Sequence, residues 1–201
     1  MAVLSMAALF SGLAAAATYT LPGGTLPSGC TSDSSTSVTC SSLSLSWGDN
    51  IVVTNANTTL TVTNELKVGG NNINTSSPAS GFNIVAKKIT SGGSSTFGGS
   101  LTATSDDITI GSADKVTGDV TSNNGKVTLN SANVSVGGNV TAKEEVELGS
   151  GASVAGNVTS TNDSVILKSS SSSVGGNVTA KKEVELGSGA SVAGNVTSTN
   201  D

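Results

Sequence analysis

From Phe97 to the end of the chain, one six-residue phrase keeps returning. It reads Phe97-Gly-Gly-Ser-Leu-Thr102, Val116-Thr-Gly-Asp-Val-Thr121, Val136-Gly-Gly-Asn-Val-Thr141, Val154-Ala-Gly-Asn-Val-Thr159, Val174-Gly-Gly-Asn-Val-Thr179 and Val192-Ala-Gly-Asn-Val-Thr197. Subtracting successive first positions gives intervals of 19, 20, 18, 20 and 18 residues. A unit that short is one supersecondary element, and it buries its apolar side only when a copy of itself stacks on it.

Between the phrases stand Ile108-Thr-Ile110, Val127-Thr-Leu129, Val146-Glu-Leu148, Val165-Ile-Leu167 and Val184-Glu-Leu186. Most alternate apolar, polar, apolar, which is the period of a strand with one face buried. Gly, Ser, Asn and Asp fill the corners, and no stretch has helical period. Such units suit the turns of a parallel β-helix, stacked at ~4.8 Å. With right-handed crossovers as the default, the expected fold is all-β: a right-handed parallel β-helix, or solenoid, of roughly five to seven coils behind an N-terminal cap.

Stacking would turn repeat positions into columns. One core column is Phe97, Val116, Val136, Val154, Val174 and Val192; a second is Leu101, Val120, Val140, Val158, Val178 and Val196. A third is Ile108, Val127, Val146, Val165 and Val184, and a fourth is Ile110, Leu129, Leu148, Leu167 and Leu186. Each aliphatic side chain then meets a near-identical neighbour, so core packing is solved once and copied. Asn139, Asn157, Asn177 and Asn195, with Asp119 in the same place, are expected to form a corner ladder, because Asn tolerates left-handed backbone and its amide can bond to the next coil. The adjoining Gly118, Gly138, Gly156, Gly176 and Gly194 suit a tight corner.

The start of the chain differs. Residues 1–16 form a short apolar run ending in Ala14-Ala15-Ala16, a small-residue pattern that predicts a signal peptide cleaved after Ala16. Residues 17–63 hold Tyr19, Pro22, Pro27, both cysteines and Trp47, and are expected to form the cap, with strands at 43–47, 51–54 and 60–62 and Trp47 in its core. Residues 64–201 are expected to be the repeats, cut from a longer array at the C-terminal end, with 71–80 as a protruding loop. Cys30 and Cys40 are the only cysteines. In an oxidising compartment they would form a disulfide worth about 2–3 kcal/mol. Two thiolates in a chain without His do not complete a metal shell, so no metal or cofactor is expected.

The stretch Ala17-Thr-Tyr-Thr-Leu-Pro-Gly-Gly24, followed by Leu26-Pro27, Cys30, Thr39-Cys-Ser-Ser-Leu43 and Trp47-Gly-Asp49, resembles the opening of MshQ-like secreted proteins. These belong to the mannose-sensitive haemagglutinin pilus biogenesis group of Gram-negative bacteria, and their N-terminal region also continues into Gly-Asn-Val-Thr repeats. The resemblance implies a surface or pilus-associated, adhesive protein and brings no catalytic residues. The repeats alone are also similar to bactofilins, the polymer-forming β-helical scaffolds of bacteria.

The functional expectation is therefore a secreted structural or adhesive element at a Gram-negative cell surface, acting by rigid display. Its partners would be pilus or other cell-surface components, or carbohydrate. Net charge is −5 with no basic patch, so nucleic acid is not an expected partner. No catalytic residues are expected: Asp106-Asp107 is the only adjacent Asp pair, and Glu144, Glu145, Glu147, Glu183 and Glu185 recur with the repeat, as a solvated face does. Three alternatives stand beside this: a head-to-tail scaffold associating through its C-terminal coil, a polysaccharide-binding or polysaccharide-cleaving β-helix, and an ice-binding β-helix. The last would use the threonine column from Thr102 to Thr197, whose companion column is interrupted by Lys143 and Lys181. The segments 143–163 and 181–201 differ only at Glu144 against Lys182.

Overall fold

The structure, a computed structural model, describes residues 15–130, 132–168 and 171–199, so the expected leader falls outside the described residues except for Ala15 and Ala16. Among the described residues there is no helix, and parallel sheets stack as a β-solenoid of about eight turns. That exceeds the five to seven coils expected, because the first three turns are wound from sequence without the repeated phrase. They comprise β1 (Thr18–Leu21), β2 (Cys30–Ser34), β3 (Ser37–Cys40), β4 (Leu43–Ser44), β5 (Asn50–Val53), β6 (Thr59–Val68), β7 (Asn72–Ile73) and β8 (Asn83–Ser91).

Each turn lays one short strand on each of three faces. The first face stacks β1, β5 and β7, then Thr96–Phe97, Lys115–Val116, Ser135–Val136, Ser153–Val154, Ser173–Val174 and Ser191–Val192, all parallel. The second face begins with β3 and the opening of β6 and β8, and continues through 100–103, 120–122, 140–142, 158–160, 178–180 and 196–198. The third begins with β4 and the later parts of β6 and β8, and continues through 108–110, 127–129, 146–148, 165–167 and 184–186. The division expected between residues 63 and 64 falls inside β6, and β1, β3 and β4 already occupy the three faces of the first turn.

All four aliphatic columns lie in register. Val120 pairs with Val140, Val140 with Val158 and Val158 with Val178, each fully buried. Leu129, Leu148 and Leu167 stack in the same way on the third face. On the first face Val116, Val136, Val154 and Val174 are buried. The columns end at the last described coil. Leu186 and Val196 are 47% and 45% exposed and Val192 is half-buried, because nothing among the described residues stacks on them.

The 18- and 20-residue intervals differ by one residue between the third-face strand and the next first-face strand, and by one in the corner from the second face to the third, where a side chain changes with it. At the inward position closing each second-face strand, Ala103, Ser122, Ala142, Ser160, Ala180 and Ser198 follow one another in register. Between that position and the next third-face strand lie residues 123–126 and 161–164 after Ser122 and Ser160, but only 143–145 and 181–183 after Ala142 and Ala180; Ala103 is followed by 104–107. In the longer corners the serine bridges the gap. Ser160 Oγ donates to the Glu144 carbonyl at 2.6 Å and accepts from the Asp163 amide at 3.0 Å. Ser122 makes the matching bonds to the Asp106 carbonyl (2.9 Å) and the Gly125 amide (3.1 Å). Alanine fills the place before the three-residue corners, and at Ala103 before a four-residue one as well.

The corner ladder works differently from the sequence expectation. Asn139, Asn157, Asn177 and Asn195 have ordinary negative φ. Each offers its side-chain oxygen to the backbone amide of the next coil: Asn157 N to Asn139 Oδ1 at 2.9 Å, then Asn177 N to Asn157 and Asn195 N to Asn177 at 2.8 Å. Asp119 serves Asn139 in the same way at 2.7 Å. The neighbouring glycines are required by close approach: a Cβ on Gly156 would lie 2.6 Å from both Gly138 O and Asn139 Oδ1. Left-handed backbone belongs instead to the corner before the first face, at Gly48, Gly70, Ser94, Ala113, Asn133, Gly151, Ser171 and Gly189, always two residues ahead of the strand.

Two further expectations are corrected. Trp47 is 72% exposed, not a core residue of a cap, because the first turn is already filled by Leu21, Val38, Leu43 and Leu45. Its indole lies against Gly70, where a Cβ would come within 2.5 Å of the ring. Within the expected 71–80 loop, Asn71, Ile73 and Asn74 are buried and Asn72–Ile73 is a first-face strand, so the excursion begins only after Asn74.

Candidate functional site

The surface of the repeats is periodic, and a localised binding site has to be sought where the period is broken. The clearest break is the excursion 75–81. The backbone turns out at Asn74, which is fully buried at φ 54°. Its Nδ2 donates to the carbonyls of Ala79 (3.0 Å) and Gly98 (2.6 Å), while its Oδ1 accepts from the Ala79 amide at 2.8 Å. One side chain therefore ties both ends of the excursion to the next coil. Beneath it lies a cleft lined by Thr75, Pro78, Thr96, Gly98, Lys115 and Thr117. Lys115 is exposed and takes part in no ion pair among the described residues. Three hydroxyls and one unpaired ammonium around an apolar Pro–Gly floor form a set of donors suited to a polyhydroxylated or anionic ligand.

A second, shallower groove runs along the second face over Thr121, Asn123, Thr141, Lys143 and Thr161. The threonine column is real in register, Thr102 to Thr121, Thr141, Thr159, Thr179 and Thr197. Lys143 Nζ donates to Asn124 Oδ1 at 3.0 Å, which places an ammonium in the companion column. That interrupts the flat, two-column hydroxyl array an ice-binding face would need.

Of the acidic residues weighed for catalysis, Asp106, Asp107, Glu145 and Glu147 link neighbouring coils. Asp107 Oδ1 accepts from the Lys126 amide at 2.8 Å, and Asp106 lies 3.9 Å from Lys87. Glu145 faces Lys126 at 3.7 Å and Glu147 faces Lys168 at 2.8 Å. Its hydrogen bond to Glu147 raises the pKa of Lys168. The hydrogen bond from Lys182 likewise lowers that of Asp163. All join residues one coil apart with at least one exposed partner, and are worth little singly. No group of three or more potential metal-ligating side chains occurs among the described residues.

At the N-terminal end Cys30 and Cys40 are joined by a disulfide across the antiparallel pair β2–β3. The hairpin lays exposed β2 along the free edge of β3, with Asp33 and a register shift between Ser32 and Ser34. Charge and a bulge are the usual means of keeping a sheet edge from pairing further. Inside the same end, the residue before each first-face strand is polar and buried: Asp49, Asn71, Ser95 and Asp114. Asn71 donates to the carbonyls of Ser46 and Asp49. Asp114 accepts from the amides of Ser95 (2.6 Å) and Gly111 (2.8 Å). Burial pushes the Asp114 carboxyl above its usual range, against the bonds from Ser91, Ser95 and Gly111 that favour the ionised form. Val134 and Ala152 take this place in the next two coils, and buried Ser172 returns a polar residue to it in the one after.

Comparison with protein-family models, with curated proteins and with solved structures gives no match to the chain.

Proposed function

We propose that this is a secreted structural or adhesive solenoid of a Gram-negative cell surface, which presents a saccharide-binding cleft on a stiff support. The observation that carries the reading is the pairing of one rigid element with one break in its surface. Eight turns at ~4.8 Å make a rod of roughly 40 Å, and the cleft under 75–81 is the aperiodic feature on it. The disulfide supports an oxidising compartment, and the likeness of residues 17–49 to MshQ-like proteins points to the same setting. The test is export of the full chain in a Gram-negative host, followed by binding of the product to immobilised neutral and acidic polysaccharides. Binding that falls about tenfold in Lys115→Ala, as expected for loss of a charged contact, supports the reading. Retention in the cytoplasm, or no binding to any surface glycan, overturns it.

A second reading, self-association, is favoured by the exposed Leu186 and Val196 and the unpaired edge of the last described coil. Because β2 covers the edge of β3, a head-to-tail joint would have to displace the disulfide hairpin on the second face. An addition of one C-terminal coil to another avoids that, and would be seen as a concentration-dependent dimer lost in Leu186→Lys.

A further inference from the structure

Asp49 sits where a newly made chain terminus would arrive. Its Oδ1 accepts a hydrogen bond from the Ala17 amide at 2.8 Å, and its Oδ2 accepts one from the Ser46 amide at 2.9 Å. The carboxylate is only 6% exposed. No ion pair among the described residues reaches it. Ala17 is held on its other side as well, its carbonyl accepting from the Asn50 amide at 2.8 Å. A buried carboxylate facing two neutral donors and no countercharge is an incomplete arrangement, since burial of an ion is costly unless it is paired.

The atom it faces is the nitrogen of the residue after Ala16. Ala15 and Ala16 are exposed, and together with Ala14 they provide the small side chains that leader peptidases accept. We infer that Ala16–Ala17 is a processing site and that Asp49 is the receptor for the α-ammonium of Ala17 that processing creates. Water adds across the Ala16–Ala17 amide under the action of a leader peptidase. The Ala16 carbonyl leaves with the leader as a carboxylate, and the Ala17 nitrogen keeps its place and takes up the proton. A hydrogen bond charged on the acceptor side alone thereby becomes an ion pair. Maturation closes the first turn electrostatically, at the point where β1 joins β5.

The inference rests on the secreted reading, and the test separates the two. The full chain is exported and the product's intact mass measured; a product starting at Ala17 is expected. Thermal unfolding, followed by Trp47, the single tryptophan, is then compared for wild type and Asp49→Asn between pH 6 and 9.5. An amine partnered by a carboxylate has its pKa raised on folding. Its contribution is complete below the unfolded value of about 7.7–8.0 and is lost as pH rises through the folded value. The wild-type advantage should therefore shrink across this range. The α-amine of the folded wild type should also acylate about tenfold more slowly at neutral pH than that of the urea-unfolded chain. This readout stands if Asp49→Asn fails to fold. A chain that is not exported overturns the secreted reading and the inference together. An exported chain beginning elsewhere, an advantage independent of pH, or an unprotected α-amine overturns the inference alone.

Discussion

The backbone amide of Asn157 donates to the side-chain oxygen of Asn139, one coil earlier, at 2.9 Å. The same bond recurs up the corner; lower down the amide nitrogens of Asn139 and Asn157 also donate to the residue one coil earlier, at 3.2 Å. At Asn177, between the neutral Asn157 and Asn195, Asn177→Asp should leave unfolding free energy within about 0.5 kcal/mol of wild type, whereas Asn177→Ala should cost about 1 kcal/mol. Denaturant titration of both variants checks this.

Two glycines in one coil should respond differently to alanine. At Gly156 the new Cβ meets backbone and Asn139 at 2.6 Å. Neither can give way without parting the coils, so a loss of about 2–3 kcal/mol is expected. At Gly151 the nearest atom is 3.4 Å away and only the φ of +76° opposes a side chain, costing about 1 kcal/mol. Ala113→Gly, at φ 61°, should gain up to about 1 kcal/mol by the same argument. Thermal midpoints of the three variants rank the two effects.

The serine–alanine alternation predicts that neither residue tolerates the other's place. Ser160→Ala leaves the Asp163 amide and the Glu144 carbonyl without their partner, a cost of about 1–2 kcal/mol. Ala142→Ser puts a hydroxyl into a fully buried position in a shorter corner, costing about 1–3 kcal/mol. If either change is neutral by equilibrium unfolding, corner length is set by something else.

Asp114 should impose an inverted pH dependence. Its folded pKa is raised by burial, so between the unfolded value, near 3.9, and the folded one the native state holds more protons than the unfolded state. Stability then falls as pH rises through that window. Against Asp114→Ser, the wild type should gain relative stability as pH drops from 7 towards 4. A flat difference would show that the carboxyl titrates normally.

The architecture was legible because its information is periodic. Val140 and Val158 recur at a fixed interval, and parallel register follows from stacking equal units. What escaped was whatever depends on contacts within a single corner. The serine bridge at Ser160 cannot be seen without knowing which carbonyl lies above it. The left-handed column passes through Ala113, Ser94 and Ser171, residues whose identity does not announce the conformation. The buried polar positions Asp49, Asn71 and Asp114 escaped because they replace aliphatic residues by hydrogen bonds, which hydrophobic patterning does not register. Trp47 was misplaced for a related reason: aromatic size suggests burial, but the first turn is already filled by Leu21, Val38, Leu43 and Leu45. The cleft rests on Asn74, one asparagine among many until its three bonds are seen.

From Ala103 onward alanine-closed and serine-closed windings alternate, whereas Ala86 and Ala103 stack as like on like, so within the later repeats the heritable module is the couple. Positions 143 and 181, where the near-identical segments begin, are 38 residues apart, the sum of one 18-residue and one 20-residue interval. A lineage that lengthened or shortened this protein by a lone winding would set two like corners against each other. Homologues should therefore vary in steps of two.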